Sequence, residues 1–164
     1  MTHCDIIVET LERGLGMMQR ELADFSDADM LVRPAPVANH AEWMLGHLCK
    51  SECHMLGACG VDVTDALPAG FAECYPQVKG QLNEVANPMG KAALLELFGK
   101  VRQRTIAFVK SAGDVALLKE IPSPFNKGTM TTVGFIVTMP SLHASMHIGQ
   151  MQVIRRALGK PVLF

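Results

Sequence analysis

The chain has 164 residues and a formal net charge of −1, long enough for one domain with a core of its own. A sequence isoelectric point of about 6.6 carries no basic footprint, so no nucleic-acid partner is expected. Hydrophobic residues make up 49% of the chain, yet no run of about 18 uncharged apolar residues occurs, so no membrane span is expected either.

The first segment, MTHCDIIVETLERG, has Asp5 and no basic stretch ahead of an apolar one, and does not read as a secretory leader. Ile7, Leu11, Leu15, Met18, Leu22 and Phe25 recur by threes and fours, which predicts a helix over about 2–22. Ser26-Asp27-Ala28-Asp29 and the RPAP connector at 33–36 end it. A second helix is predicted from an Asn39 cap to about Ala58, its apolar face carrying Ala41, Met44, Leu45, Leu48, Met55 and Leu56. Residues 60–86 hold Pro68, Gly70, Pro76 and Gly80 without a sustained period, and so long a loop in a compact domain is expected to be either functional or partly mobile.

Asn87-Pro88 predicts the start of the third helix, whose stripe runs through Leu94, Leu97, Val101, Thr105 and Phe108 and stops at Gly113-Asp114. The segment 131–139, TTVGFIVTM, has strand propensity, and Pro140 lacks a backbone donor. However, Thr132 can cap a helix, and Ile136, Met139, His143, His147, Ile154 and Leu158 share one face. A fourth helix is therefore predicted over about 132–158, bent near Pro140 and ended by Gly159. Together these give an all-α four-helix bundle with long connections between helices two and three and between three and four. It forms a single domain over 1–164, with no sheet.

Five cysteines (Cys4, Cys49, Cys53, Cys59 and Cys74) form an odd set without a CxxC pair. That pattern predicts reduced thiols in a cytoplasmic protein, packed as small hydrophobes. Eleven methionines against 5% aromatics predict an adaptable core.

The chemistry lies in the histidines. His143 and His147 are about one helical turn apart, so their rings can converge on one ion. Both fall within the apolar stripe of their helix, among Met139, Met146, Met151 and Ile154. Buried imidazoles require polar partners. Core histidines satisfied by backbone carbonyls are one reading of the pair, a metal site is the other, and a third histidine from a neighbouring helix would decide. The second helix offers His40, His47 and His54, spaced by sevens. Neighbours in that row stand about 10 Å apart along the axis, whereas ligands sit about 2 Å from a metal, so only one of them can join. His47 is central in its helix, like the pair in the fourth, and geometry favours it.

The segment Trp43-Met44-Leu45-Gly46-His47-Leu48 with Glu52, and His143-Ala144-Ser145-Met146-His147-Ile148-Gly149-Gln150 with Arg156, Gly159 and Pro161, resemble the DinB/YfiT-like superfamily. The resemblance implies a four-helix bundle holding a divalent metal, nickel or zinc, on His47, His143 and His147, and a homodimer. Two positions depart from the family pattern. Ile148 stands where many members have arginine, and Pro140 interrupts the helix just before His143.

Near the site, Trp43 reads as packing or as a substrate contact, and Gln150 as a hydrogen-bond partner of a ligand histidine or as packing. Glu42 and Glu52 point away from His47 on their own helix, so no carboxylate is assigned as general base and the catalytic residues are unassigned. Three imidazoles leave coordination positions for water or substrate. By analogy with the superfamily, the expected function is a metal-dependent enzyme activating a thiol or a water, with thiol transfer preferred and a low-molecular-weight thiol as small-molecule substrate. A metal-dependent hydrolase and a non-catalytic metal-binding stress-response protein are the alternatives. A fourth ligand from Cys49 or Cys53 would favour the last.

Overall fold

In the computed structural model, which describes residues 1–77 and 83–163, the apolar period of the first segment forms α1 (His3–Glu21). Thr2 starts it with a capping box: its hydroxyl accepts from the Asp5 amide while the Asp5 carboxylate accepts from the Thr2 amide. The Asp114 carboxylate accepts from the His3 and Cys4 amides at 3.1 and 3.0 Å, and these bonds hold its carboxyl far below the usual range. The polar run after α1 contains one further turn of helix, α2 (Asp27–Met30), opened by a Ser26–Asp29 capping box that sequence periodicity does not reveal.

The second predicted helix is α3 (Ala41–Ala58), and its cap is His40, not Asn39: the His40 imidazole Nδ1 accepts from the Trp43 amide at 3.1 Å. Residues 60–77 include a single turn, α4 (Phe71–Cys74), and residues 78–82 of the predicted long loop lie outside the described residues. The third predicted helix begins later than Asn87-Pro88 implies, as α5 (Lys91–Leu117) capped at Gly90. Gly90 has φ of 82°, which favours glycine, and the Glu42 carboxylate accepts from its amide at 3.2 Å, so a carboxylate from α3 fixes where α5 starts. Gly113, with φ of 73°, interrupts α5 where the sequence predicts its end.

Contrary to the expectation of no sheet, the third connection contains a small antiparallel ribbon, β1 (Glu120–Pro122) with β2 (Met130–Thr132), paired Ile121 to Thr131. The strand propensity at 131 is thus spent in one short strand. Thr132 then caps α6 (Val133–Ala157), which runs as one helix through Pro140.

The four long helices form the bundle. α1 and α3 each pack against both α5 and α6 and hardly touch one another, so they occupy opposite corners. The links from α1 to α3 and from α5 to α6 therefore cross a diagonal, which is why neither is a tight turn. Two apolar clusters fill the interior, one around Leu45, Phe98 and Met151, the other around Leu11, Ile106 and Ile136. A buried polar layer ties all four helices together. Arg102 of α5 pairs with Glu52 of α3, donates to the Leu11 carbonyl of α1 at 3.1 Å and to the Pro140 carbonyl of α6 at 3.3 Å. Gly14 leaves room for it, since a Cβ there would lie 3.3 Å from the Arg102 guanidinium. Among the described residues no helix is long and apolar enough to cross a membrane.

Candidate metal centre

α3 and α6 pack against each other and bring His47, His143 and His147 together. The His143 Nε2 lies 3.2 Å from the Nε2 of His47 and 3.1 Å from that of His147. Nitrogen ligands about 2.0–2.1 Å from a tetrahedral ion stand about 3.3 Å apart, so this spacing is that of a coordination shell. The His47 ring is nearly perpendicular to the other two, at 86° and 76°, so the three lone pairs approach a common point from different directions.

Two neighbours aim the rings. Trp43, one turn before His47, stacks flat on it with centroids 4.7 Å apart and an interplanar angle of 5°. The indole is itself held by its Nε1–H, which donates to the Pro76 carbonyl at 2.6 Å. The His147 Nδ1 lies 2.8 Å from the Gln150 amide oxygen. An amide oxygen only accepts, so Nδ1 carries the proton and Nε2 presents a free lone pair. His143 Nε2 has one proton at most, to be shared between the His147 lone pair and the His47 nitrogen 3.2 Å away. A shared cation satisfies all three, and the donor set fits a divalent metal ion.

The electrostatics agree. Burial, then the neighbouring imidazoles His143 and His147 and the Lys50 ammonium, push the His47 pKa down to about 3. Burial first and His143 second lower His147 to about 4, against the pull of Gln150, and burial lowers His143. All three are neutral at neutral pH, the state in which imidazole can bind metal.

No other His, Cys, Asp or Glu among the described residues joins the group. Cys49 and Cys53 point into the apolar core, and burial raises both thiols, Cys53 to about 12. His40 caps α3, and His54, exposed, stands further along the same helix. Glu42 binds the Tyr75 hydroxyl at 2.8 Å and Glu52 binds Arg102, so both carboxylates are engaged away from the cluster.

The open side of the cluster faces a cleft of about 560 Å³, the size of a small-molecule site. The predicted 60–86 loop contributes Gln77 to its rim, and the loop between β1 and β2 brings in Phe125. Lys50 and Ser51, one turn after His47, line the same wall, and the Ser51 hydroxyl is 3.5 Å from the His47 ring nitrogens. Sequence reasoning missed both, although their spacing from His47 placed them on its side of the helix. Phe125 had no such signal, because it reaches the cleft through the ribbon.

A helical bundle with three neutral imidazoles converging from two of its helices on one open cleft defines a protein built to hold a divalent metal. The chain belongs to the DinB superfamily, whose sequence profile matches residues 10–151. It is similar to a solved conserved protein from Enterococcus faecalis, at 18% identity and a TM-score of 0.75, over 98% of this chain and 99% of that one. It is also similar to YfiT from Bacillus subtilis, described as a probable metal-dependent hydrolase with an unusual four-helix bundle topology. That match has 15% identity and a TM-score of 0.71, over 96% of this chain and 89% of YfiT. No curated protein matches the chain.

Proposed function

We propose that the protein is a metal-dependent enzyme that activates a small nucleophile, a thiol by preference and otherwise a water, on a divalent ion held by His47, His143 and His147. One observation carries this reading: three convergent neutral imidazoles, joined by no fourth protein donor among the described residues, open onto a cleft. When bound, the ion supplies Lewis-acid activation of the nucleophile. The chain's own residues hold and aim the ligands, with Trp43 and Gln150 as positioning residues, and give the cleft an apolar wall through Met139 and Met146. The hydrolase reading, with water as nucleophile, is favoured by the description of YfiT. Nickel or zinc suits the nitrogen donors, and the free thiols suit the cytoplasm.

Metal analysis of tag-free protein tests the site, with about one ion per chain expected and loss in His143→Ala and His147→Ala. Unchanged metal content in both variants overturns it. Small thiols added to cobalt-substituted protein then separate the two nucleophiles: a thiolate-to-metal absorption band supports transfer, and its absence with retained cobalt supports hydrolysis.

We also propose a homodimer through α6. Phe135, Leu142 and Val153 recur along one line of that helix and are all exposed. Sedimentation velocity of Leu142→Glu against the parent chain tests it, and a monomeric parent chain ends the proposal.

A further inference from the structure

The cleft beside the metal ligands is unbalanced in charge. Among the described residues its lining includes the Lys50 ammonium, with the His54 imidazole one turn further along α3, and no carboxylate. Lys50 is half-buried, and among the described residues its one hydrogen bond goes to the Tyr75 carbonyl at 3.3 Å. An ammonium has three donors, so two remain to be satisfied from the cleft. Among the described residues it has no ion-pair partner, whereas the fully buried cations Arg102 and Arg155 are each paired with a carboxylate. A divalent ion on three neutral imidazoles would add positive charge to the same wall without cancelling any. Away from Lys50 the lining turns apolar, with Met55, Phe125, Met139 and Met146. Methionine and phenylalanine there offer a polarizable surface that adapts to a flexible hydrocarbon.

We propose that the cleft binds a small carboxylate with an apolar body, Lys50 pairing with the carboxylate and the methionine–phenylalanine wall enclosing the hydrocarbon. The proposal names a substrate class for the metal site proposed above and rests on that reading for its catalytic meaning, but the preference for a carboxylate is assigned to Lys50 and is read by substituting it. Such a ligand lies with its anionic end against α3 and its apolar end between α6 and the loop that carries Phe125. An uncharged analogue of equal length fills the apolar part and leaves Lys50 unpaired. A cationic one meets the ammonium directly and is repelled.

The test uses zinc-loaded protein with carbon-13 in its methionine methyl groups, titrated with hexanoate, 1-hexanol and hexylamine and read by NMR. Hexanoate should shift the Met55, Met139 and Met146 signals with a Kd at least about tenfold below that of hexanol, and hexylamine should bind weakest. Lys50→Gln should erase the advantage of hexanoate over hexanol, and Lys50→Arg should keep most of it. Two results overturn the proposal: equal binding of hexanoate and hexanol to the parent chain, or a preference that survives in Lys50→Gln, which would place the carboxylate on the metal alone. Zinc content is measured on the same samples. Protein that loses zinc but keeps the Lys50-dependent preference refutes the metal reading and leaves this one standing.

Discussion

Trp43 lies against the His47 imidazole as a parallel plate, with centroids 4.7 Å apart, and is the only tryptophan of the chain. The site therefore contains its own optical reporter. Binding of cobalt or nickel should quench the intrinsic fluorescence strongly, because a paramagnetic ion would sit one ring away, while zinc should quench far less. In His47→Ala the quenching should disappear. Strong quenching that persists in that variant would put the metal elsewhere.

The hydrogen bond from His147 Nδ1 to Gln150 fixes the tautomer that frees Nε2. Partners of ligand histidines are commonly worth about 10–100-fold in metal affinity. Gln150→Leu should weaken zinc binding by about tenfold in a chelator competition, whereas Gln150→Glu, which still accepts, should hold or strengthen it. Equal affinities in all three proteins would reduce Gln150 to packing.

Much of this site was legible before the structure, because a helix is a rigid ruler. Four-residue spacing aligned His143 with His147, and seven-residue spacing excluded His40 and His54 once His47 was taken. What stayed hidden depends on distant parts of the chain. Phe125 reaches the cleft through a ribbon whose strands are three residues each, too short to leave a pattern. Glu42 fixes the start of α5 from another helix, so Asn87-Pro88, a good local start signal, loses to a tertiary carboxylate. Arg102 has no role legible in the sequence and Glu52 is placed there only as pointing away from His47, because nothing local says that the two meet in the core.

That buried pair gives a stability prediction. Arg102 is fully buried, and Glu52 accepts from it and from Thr105 at 2.6 Å. Arg102→Met strands a carboxylate in the core and should cost about 3–5 kcal/mol in urea unfolding. Burial already raises the Glu52 pKa against the pull of Arg102, so without Arg102 it rises further. A raised folded pKa means the folded state binds the extra proton, so the variant should lose stability as pH rises above the ordinary carboxyl value of 4.5. The double variant Arg102→Met with Glu52→Leu should recover much of the loss. No recovery would show that shape, not charge, dominates there.

Gly46 precedes His47 because Tyr75 lies on it: a Cβ at position 46 would stand 2.1 Å from the Tyr75 ring. Displacing Tyr75 also loosens its carbonyl from Lys50 and the neighbouring Pro76 carbonyl from Trp43. Gly46→Ala should therefore lower metal affinity and stability together, with overpacking costs of about 1–3 kcal/mol. Restoring space with Tyr75→Ala in the same chain should relieve the overpacking while losing the Glu42 hydrogen bond. If Gly46→Ala changes neither property, the ring can move aside freely and the 71–77 segment does not brace the site.

His40 gives the pH dependence its clearest sign. Its Nδ1 accepts from the Trp43 amide, which only the neutral ring can do, and burial, with Arg33 adding to it, lowers its pKa from 6.5 to about 4. The unfolded chain therefore binds this proton more readily than the folded one. The stability that His40 supplies is complete above pH 6.5 and drains away as pH falls through the window from 6.5 to about 4. His40→Asn keeps a capping acceptor and does not titrate. In zinc-free protein, the parent chain should lose about 1–2 kcal/mol more than His40→Asn between pH 7 and pH 5, once the titration common to both is subtracted. His40→Ala separates the cap from the proton: it should cost about 1 kcal/mol at pH 7 and share the flatter slope of the asparagine variant. Parallel pH curves for all three proteins would mean that His40 stays protonatable in the fold, and that the Trp43 amide finds its acceptor elsewhere.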